Sequence, residues 1–285
     1  MKYLLIDFGA SFIKSAIFDS DDFTFSNCKT EESPFSKSDF LSLIDLKNII
    51  RDLLSSYNNY DFVATCSIKN GVFKDGIYYS WKTLDLNISE IKNCLISEIF
   101  QDQESYHVHF DQNKNSKVND LCILGFYNGK RFLSNLGDTD CVKRSVSLNK
   151  NEALINLGTG SQIFINDKIV SFIPSGRALN VFRKFFLEFE KDLFEDFSKL
   201  ELNDLYSSDL LFTLSVFPQA INFESYGKIL NINENNFTYK NFVRSLFKSY
   251  LDQYVSLLKD YELTKIYITG GISSKVKVVQ EYLEK

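Results

Sequence analysis

Asp138-Thr-Asp-Cys141, with Asn156-Leu-Gly-Thr-Gly-Ser161 after it, is the stretch whose reading decides the fold of this chain. An acidic pair opens it, an apolar strand pattern runs from Ala153 to Leu157, and Gly-Thr-Gly-Ser turns into a second strand, Gln162 to Ile165. The pattern predicts a hairpin with an anion-sized tip. Gly158 and Gly160 reach positive φ without strain and carry no Cβ to obstruct a phosphate, and Thr159 and Ser161 add hydroxyl donors to the backbone N–H groups. In isolation such a turn is an ordinary hairpin signal. Two further strand-to-glycine junctions give it weight.

The first lies at the start of the chain. Residues 3 to 7 (Tyr-Leu-Leu-Ile-Asp) form an apolar strand ending in a carboxylate, and Phe8-Gly9-Ala10-Ser11 turns at once into a second strand, Phe12 to Phe18. The other lies near residue 270, where the strand Lys265-Ile-Tyr-Ile-Thr269 breaks at Gly270-Gly271 and leads to Ser273 and Ser274, either of which suits the N-cap of a helix toward Leu283.

Taken in order, Asp7-Phe-Gly-Ala-Ser11, Gly158-Thr-Gly-Ser161 and Thr269-Gly-Gly-Ile-Ser273 resemble the three nucleotide-contacting turns of the actin, sugar kinase and heat-shock chaperone ATPase superfamily. The Gly137-Asp138 step ahead of the second hairpin is most similar to the carbohydrate kinases of the glycerol, xylulose and sedoheptulose kinase (FGGY) family, whose equivalent aspartate is the general base. The resemblance implies an α/β protein of two actin-like (ribonuclease H-like) domains with a nucleotide cleft between them. Residues 1–147 would form the N-terminal ATPase and sugar-binding domain, and residues 148–285 the C-terminal nucleotide-binding domain.

Bulk properties agree with such a protein. A chain of 285 residues exceeds one comfortable core, and 44% hydrophobic residues suffice to bury two sheets. The net charge of −5 leaves no surplus of Lys and Arg for nucleic acid or an anionic membrane. No apolar run has bilayer length, and Met1 leads straight into a strand without a signal-like apolar region, so a cytoplasmic protein is expected, with a homodimer left open. Cys28, Cys66, Cys94, Cys122 and Cys141 are odd in number and form no C-x-x-C pair, which suits reduced, buried thiols. His107 and His109 share one face of an apparent strand, but no Cys, Asp or Glu cluster accompanies them, so they read as polar strand positions before a metal pair.

Between the turns, Asp21-Asp22 predicts a turn and Phe23 to Cys28 a third strand. Apolar spacing from Asp39 to Leu54 predicts a helix, Asp61 to Cys66 a strand, residues 72 to 81 a hairpin around Lys74-Asp-Gly76, and residues 89 to 100 another helix. Val118 to Tyr127 reads as a short helix stopped by Asn128-Gly129. Asp138 then opens a helix to about Val146, where it suits either an N-cap or first-turn position or the base of the family pattern; Asp140 competes for the cap. Later expectations are a strand from Lys168 to Ile173, helices over 177–194, 202–216 and 239–258, and the closing strand and helix.

The resemblance implies transfer of the γ-phosphoryl group of ATP, with Mg²⁺, to a sugar or polyol hydroxyl. Asp7 would orient the metal through water. Gly9, Ser11, Lys14, Gly158, Thr159, Gly160 and Ser161 would serve the phosphates, and Gly270, Gly271 and Ser274 the adenosine side. Asp138 would be the base, and Lys69, Trp81 and Asp138 would line the sugar, although a lone Trp such as Trp81 reads first as core. Domain closure would exclude water. Cys66-Ser-Ile-Lys-Asn70 does not reproduce the sugar-holding pattern, Ala10 replaces a common hydroxyl residue, and the chain stops sooner after the late Gly-Gly turn than those kinases do. The nucleotide reading therefore stands above the sugar reading. The rivals are a non-catalytic nucleotide-binding pseudokinase and a related kinase for an amino sugar or pantothenate.

Overall fold

Strict alternation along β1 (Lys2–Phe8) builds the first sheet: Leu4, Ile6 and Phe8 are buried, while Tyr3, Leu5 and Asp7 face the half-exposed side. The computed structural model describes residues 1–9, 12–33, 51–67, 123–127, 129–133, 136–218, 220–221 and 226–284. The chain divides into two compact units, Met1–Ser145 and Val146–Lys285. Ser11, Lys69, Trp81, the hairpin over 72–81, the helix over 89–100 and the two histidines lie outside the described residues. The helix expected from Asp39 is described only over residues 51–55, which are helical.

In the first unit, β1 pairs antiparallel with β2 (Phe12–Asp19), and β2 with β3 (Thr24–Glu32). On its other edge β1 runs parallel to β4 (Phe62–Ser67), and β4 in turn pairs with β6 (Lys130–Leu133) and, further along, with β7 (Leu136–Gly137). With Ile123–Tyr127 as β5, the sheet order is β3-β2-β1-β4-β6-β5, and β7 lies off that path. Ile13 and Ile17 join Leu4, Ile6 and Phe8 on the buried face, and the Ser15 hydroxyl meets that of Tyr57 at 2.8 Å.

Two expectations change in this unit. β3 runs on to Glu32, exposed along its length, because pairing with β2 carries it past Cys28; that thiol is exposed and not buried. The helix expected over 118–127 is also overturned at its end. Ile123–Tyr127 is strand β5, paired antiparallel with β6, and Gly129, at φ +72°, lies in the turn between two strands and not at a helix cap.

The second unit repeats the path. β8 (Glu152–Leu157), β9 (Ser161–Ile165) and β10 (Lys168–Ile173) form an antiparallel meander, and β13 (Lys265–Thr269) runs parallel to β8, giving the order β10-β9-β8-β13. The first unit has β3-β2-β1-β4 in the same senses, so the shared strand-turn-strand openings extend to whole sheets. Against the second sheet packs a 20-residue helix, Tyr239–Leu258, capped by Thr238, whose hydroxyl accepts the Asn241 N–H at 3.3 Å. Its Leu246, Phe247, Tyr250, Leu251 and Tyr254 share a core with Ala153, Ile155, Leu157, Ile163 and Ile165.

The segments between are less regular than the apolar spacing suggests. Apart from the helical residues 51–55, the α-helices among the described residues are, in chain order, α1 (Asp138–Arg144), α2 (Gly176–Leu187), α3 (Leu193–Ser198), α4 (Tyr239–Leu258) and α5 (Val278–Leu283). The helix expected over 177–194 is two helices. Glu190 takes φ +57° and Lys191 N–H bonds the Phe186 carbonyl at 3.1 Å, closing α2 before Asp192 caps α3. The helix expected over 202–216 is a 3₁₀ turn, Leu202–Tyr206, followed by β11 (Leu211–Thr213), which pairs with β12 (Lys228–Leu230). Side chains outcompete the helix here: Asn231 donates to the Asp209 carbonyl at 3.0 Å, and the Ser249 hydroxyl accepts the Phe212 N–H at 3.0 Å. Neither Ser273 nor Ser274 caps α5, which starts only at Val278; their hydroxyls donate back to the carbonyls of Gly270 and Gly271.

Candidate active site

In the first unit, strand register assembles a rim of polar groups from distant parts of the chain. Asp7 stands opposite Lys14 on β2 and opposite Cys66 on β4, and Cys66 stands opposite Leu136 on β7. Since β7 ends at Gly137, the next residue, Asp138, opens α1 at the same end of the sheet. Gly137 holds the N-cap position, so Asp138 belongs to the first turn, where with Asp140 it complements the helix dipole. The Asp138 carboxylate accepts the Thr139 N–H at 2.5 Å and the Thr139 hydroxyl at 3.2 Å.

The electrostatics of this rim follow from crowding of acids. Burial pushes the Asp7 carboxyl up, the Lys14 ammonium 3.9 Å away pulls it down, and the charge of Asp138 pushes it up again. Asp138 is exposed, yet the protein packed around it displaces enough water to push its carboxyl up, against the hydrogen bonds from Thr139. Cys66 and Cys141 meet in a hydrogen bond beside the two acids, and that bond, with burial, holds the Cys66 thiol well above its ordinary range. Both thiols are half-buried, short of the full burial expected for them. Gly9 closes the β1–β2 turn, its N–H bonding the Phe12 carbonyl at 3.1 Å; a Cβ there would stand 2.6 Å from that oxygen.

In the second unit the hairpin tip is fixed by its carbonyls. The Gly158 carbonyl accepts the Gly176 N–H at 3.1 Å and the Ser175 hydroxyl at 3.0 Å, and the Thr159 carbonyl accepts the Arg177 N–H at 2.8 Å. The N–H of a trans peptide points opposite its own carbonyl. With these two carbonyls turned to the start of α2, the N–H groups of Thr159 and Gly160 project the other way, the arrangement an anion-binding turn requires. The positive end of the α2 dipole lies behind them. Ser161 departs from its expected part: it is 1% exposed and its hydroxyl accepts that of Tyr254 at 2.8 Å, so its side chain is engaged in the core and not offered to a phosphate.

The Gly270 turn adjoins the same hairpin. Thr269 stands opposite Asn156, and the Ile272 N–H bonds the carbonyl of Leu157, the residue just before Gly158, at 3.3 Å. Gly271 has open space where a Cβ would sit. Along β13 toward this turn runs a groove of about 1110 Å³, lined among others by Tyr267, Thr269, Gly270, Ser273 and Ser274.

The rim thus unites Asp7, Lys14 and Asp138, and the second unit unites residues 158–160 with Gly270 and Gly271. Sequence reading missed Ser175, Tyr250 and Tyr254 beneath the tip. The i, i+4 spacing of the two tyrosines on an apolar helix face was the available signal, and it reads equally well as core.

Comparison with solved structures places the fold. Over 98% of its length the chain superposes on 86% of a xylulose kinase from Bifidobacterium adolescentis, with TM-score 0.55 and 8% identity. It also superposes on 83% of a xylulose kinase from Rhodospirillum rubrum, with TM-score 0.54 and 9% identity, and on 83% of a gluconate kinase from Lactobacillus acidophilus, with TM-score 0.53 and 12% identity. The fold is the two-domain α/β fold of the actin-like ATPase sugar kinases. No family model and no curated protein sequence matches the chain.

Proposed function

We propose that the chain is an ATP-dependent kinase that phosphorylates a hydroxyl of a sugar or polyol, of the glycerol, xylulose and sedoheptulose kinase type. Residues 1–147 serve as the base and sugar domain and residues 148–285 as the nucleotide domain. The observation that carries the reading is the placement of Asp138, which strand pairing brings to the same rim as Asp7 and Lys14. The sugar kinase fold supports it.

In this reading the Asp138 carboxylate accepts the proton of the acceptor hydroxyl as the P–O bond forms, and its raised pKa makes it a stronger base than an ordinary aspartate. The N–H groups of Thr159 and Gly160 bind phosphate oxygens, and Lys14 adds positive charge near Asp7. The residues present fit Mg²⁺. Asp7 supplies one half-exposed carboxylate, which would hold the cation together with water and phosphates. When bound, Mg²⁺ supplies neutralisation of the β,γ-oxygens. Adenosine lies against the backbone at Gly270 and Gly271.

The test is ADP release with ATP and Mg²⁺ over a panel of sugars, polyols, amino sugars and pantothenate, run beside calorimetric titration of ATP. Turnover with a sugar or polyol is expected. ATP binding without turnover on any acceptor would replace the proposal with a nucleotide-binding protein that does no chemistry.

A further inference from the structure

Under the hairpin tip lies a cluster of four hydroxyls that the reading above leaves without a role. Ser175, Tyr250, Tyr254 and Ser161 are all essentially inaccessible to solvent. The Ser175 hydroxyl has one proton, and it is given to the Gly158 carbonyl at 3.0 Å. The contact between Ser175 and Tyr250, 3.2 Å, is therefore donated by Tyr250. Four residues along α4, Tyr254 donates to Ser161 at 2.8 Å. Gly158 follows the last residue of β8 and Ser161 is the first of β9, so two successive rings of one helix hold the two ends of a single turn.

We infer that Tyr250 and Tyr254 are positioning residues of the phosphate turn, setting through Ser175 and Ser161 the direction in which the N–H groups of Thr159 and Gly160 point. This rests on the reading of residues 158–160 as a phosphate turn. Core packing alone calls for the rings, not for hydroxyls: phenylalanine fills the same space, and a buried hydroxyl costs free energy unless it is bonded. Tyr254 bonds Ser161 at one end of the turn, and Tyr250 bonds the Ser175 that holds Gly158 at the other. Burial holds both phenols above their ordinary pKa, so both remain donors across the working pH range. Without Tyr250 the Ser175 hydroxyl loses the bond that orients it. The Ser175 bond to the Gly158 carbonyl is then less well aimed, and the N–H of Thr159, in the same rigid plane, is held less firmly.

The experiment compares wild type with Tyr250→Phe, Tyr254→Phe and the double variant, measuring calorimetric binding of ATP with Mg²⁺, binding of adenosine, and the thermal midpoint. Ser175→Ala and Ser175→Thr form a second pair that leaves α4 untouched, and they decide the matter should the tyrosine variants not fold. Removal of one hydroxyl is expected to weaken ATP about fivefold, the effect of roughly one hydrogen bond. Adenosine affinity is expected to stay within twofold, and Ser175→Thr to retain the ATP affinity that Ser175→Ala loses. ATP affinity unchanged in every folded variant, or ATP and adenosine weakened alike, would overturn the inference. Wild-type protein that binds adenosine and ATP equally would instead remove the phosphate turn itself, and the positioning role with it.

Discussion

Gly270 lies so close to Leu157 that a Cβ at residue 270 would overlap the Leu157 backbone, and its φ of +107° is one that L side chains rarely adopt. The turn after β13 is thereby locked to the residue that precedes the Gly158–Gly160 hairpin tip. Gly270→Ala should lower stability by about 2 kcal/mol or more through strain and overlap, measured by urea denaturation. Gly271→Ala, with open space around it, should stay within about 0.5 kcal/mol of wild type. If adenosine lies on this backbone, Gly271→Ala should nonetheless weaken ATP binding. Unchanged affinity would place the adenosine elsewhere.

Asp7 should cost stability at neutral pH. Burial raises its carboxyl above the ordinary value, so the folded state holds this proton more tightly than the unfolded chain does. Its contribution to stability is present below the ordinary carboxylate range and is lost as pH rises through the raised folded value. Asp7→Asn should therefore raise the thermal midpoint at pH 7 and change it little near pH 4. A lower midpoint at pH 7 would show that the pair with Lys14 outweighs burial.

Asp192 has the opposite sign. Bonded by Arg183 at 3.0 and 2.8 Å and by the Phe194 N–H at 3.0 Å, it titrates at about 2. Its contribution is complete above the ordinary aspartate value and is lost as pH falls through about 2. Asp192→Ala should cost about 1–2 kcal/mol at pH 6 by removing both the cap of α3 and the ion pair. Asp192→Asn, which keeps the capping oxygen, should recover part of this in the same denaturation series.

The junctions at Gly9 and Gly270 were legible in the sequence because a close backbone approach or a positive φ can be met by few residues, whereas Gly158 and Gly160 mark their turn without taking the positive φ expected of them; the strands beside them were legible because period-two alternation marks a sheet with one buried face. The helix over Tyr239–Leu258 was legible for a similar reason, with a Thr cap and a continuous apolar stripe. The segment from Leu202 to Val216 was not: its apolar residues keep helical spacing, yet Asp209, Asn231, Asn236 and Ser249 take up the backbone and side-chain groups a helix would have used. In the site, Asp138 was found from a two-residue step, whereas its placement beside Asp7 depends on β4 pairing with both β1 and β7, which no local spacing encodes. Ser161 misled because hydroxyls next to glycines suggest an open turn, and Tyr254, far along the chain, decides otherwise.

The central claim is that Asp138 takes the proton of an acceptor hydroxyl. The most direct test measures kcat and ATP affinity for wild type and Asp138→Asn on whichever sugar or polyol the panel identifies. A fall in kcat of about 10²–10⁴, with ATP affinity and thermal midpoint nearly unchanged, is the predicted result. Equal turnover by the two proteins would contradict the account.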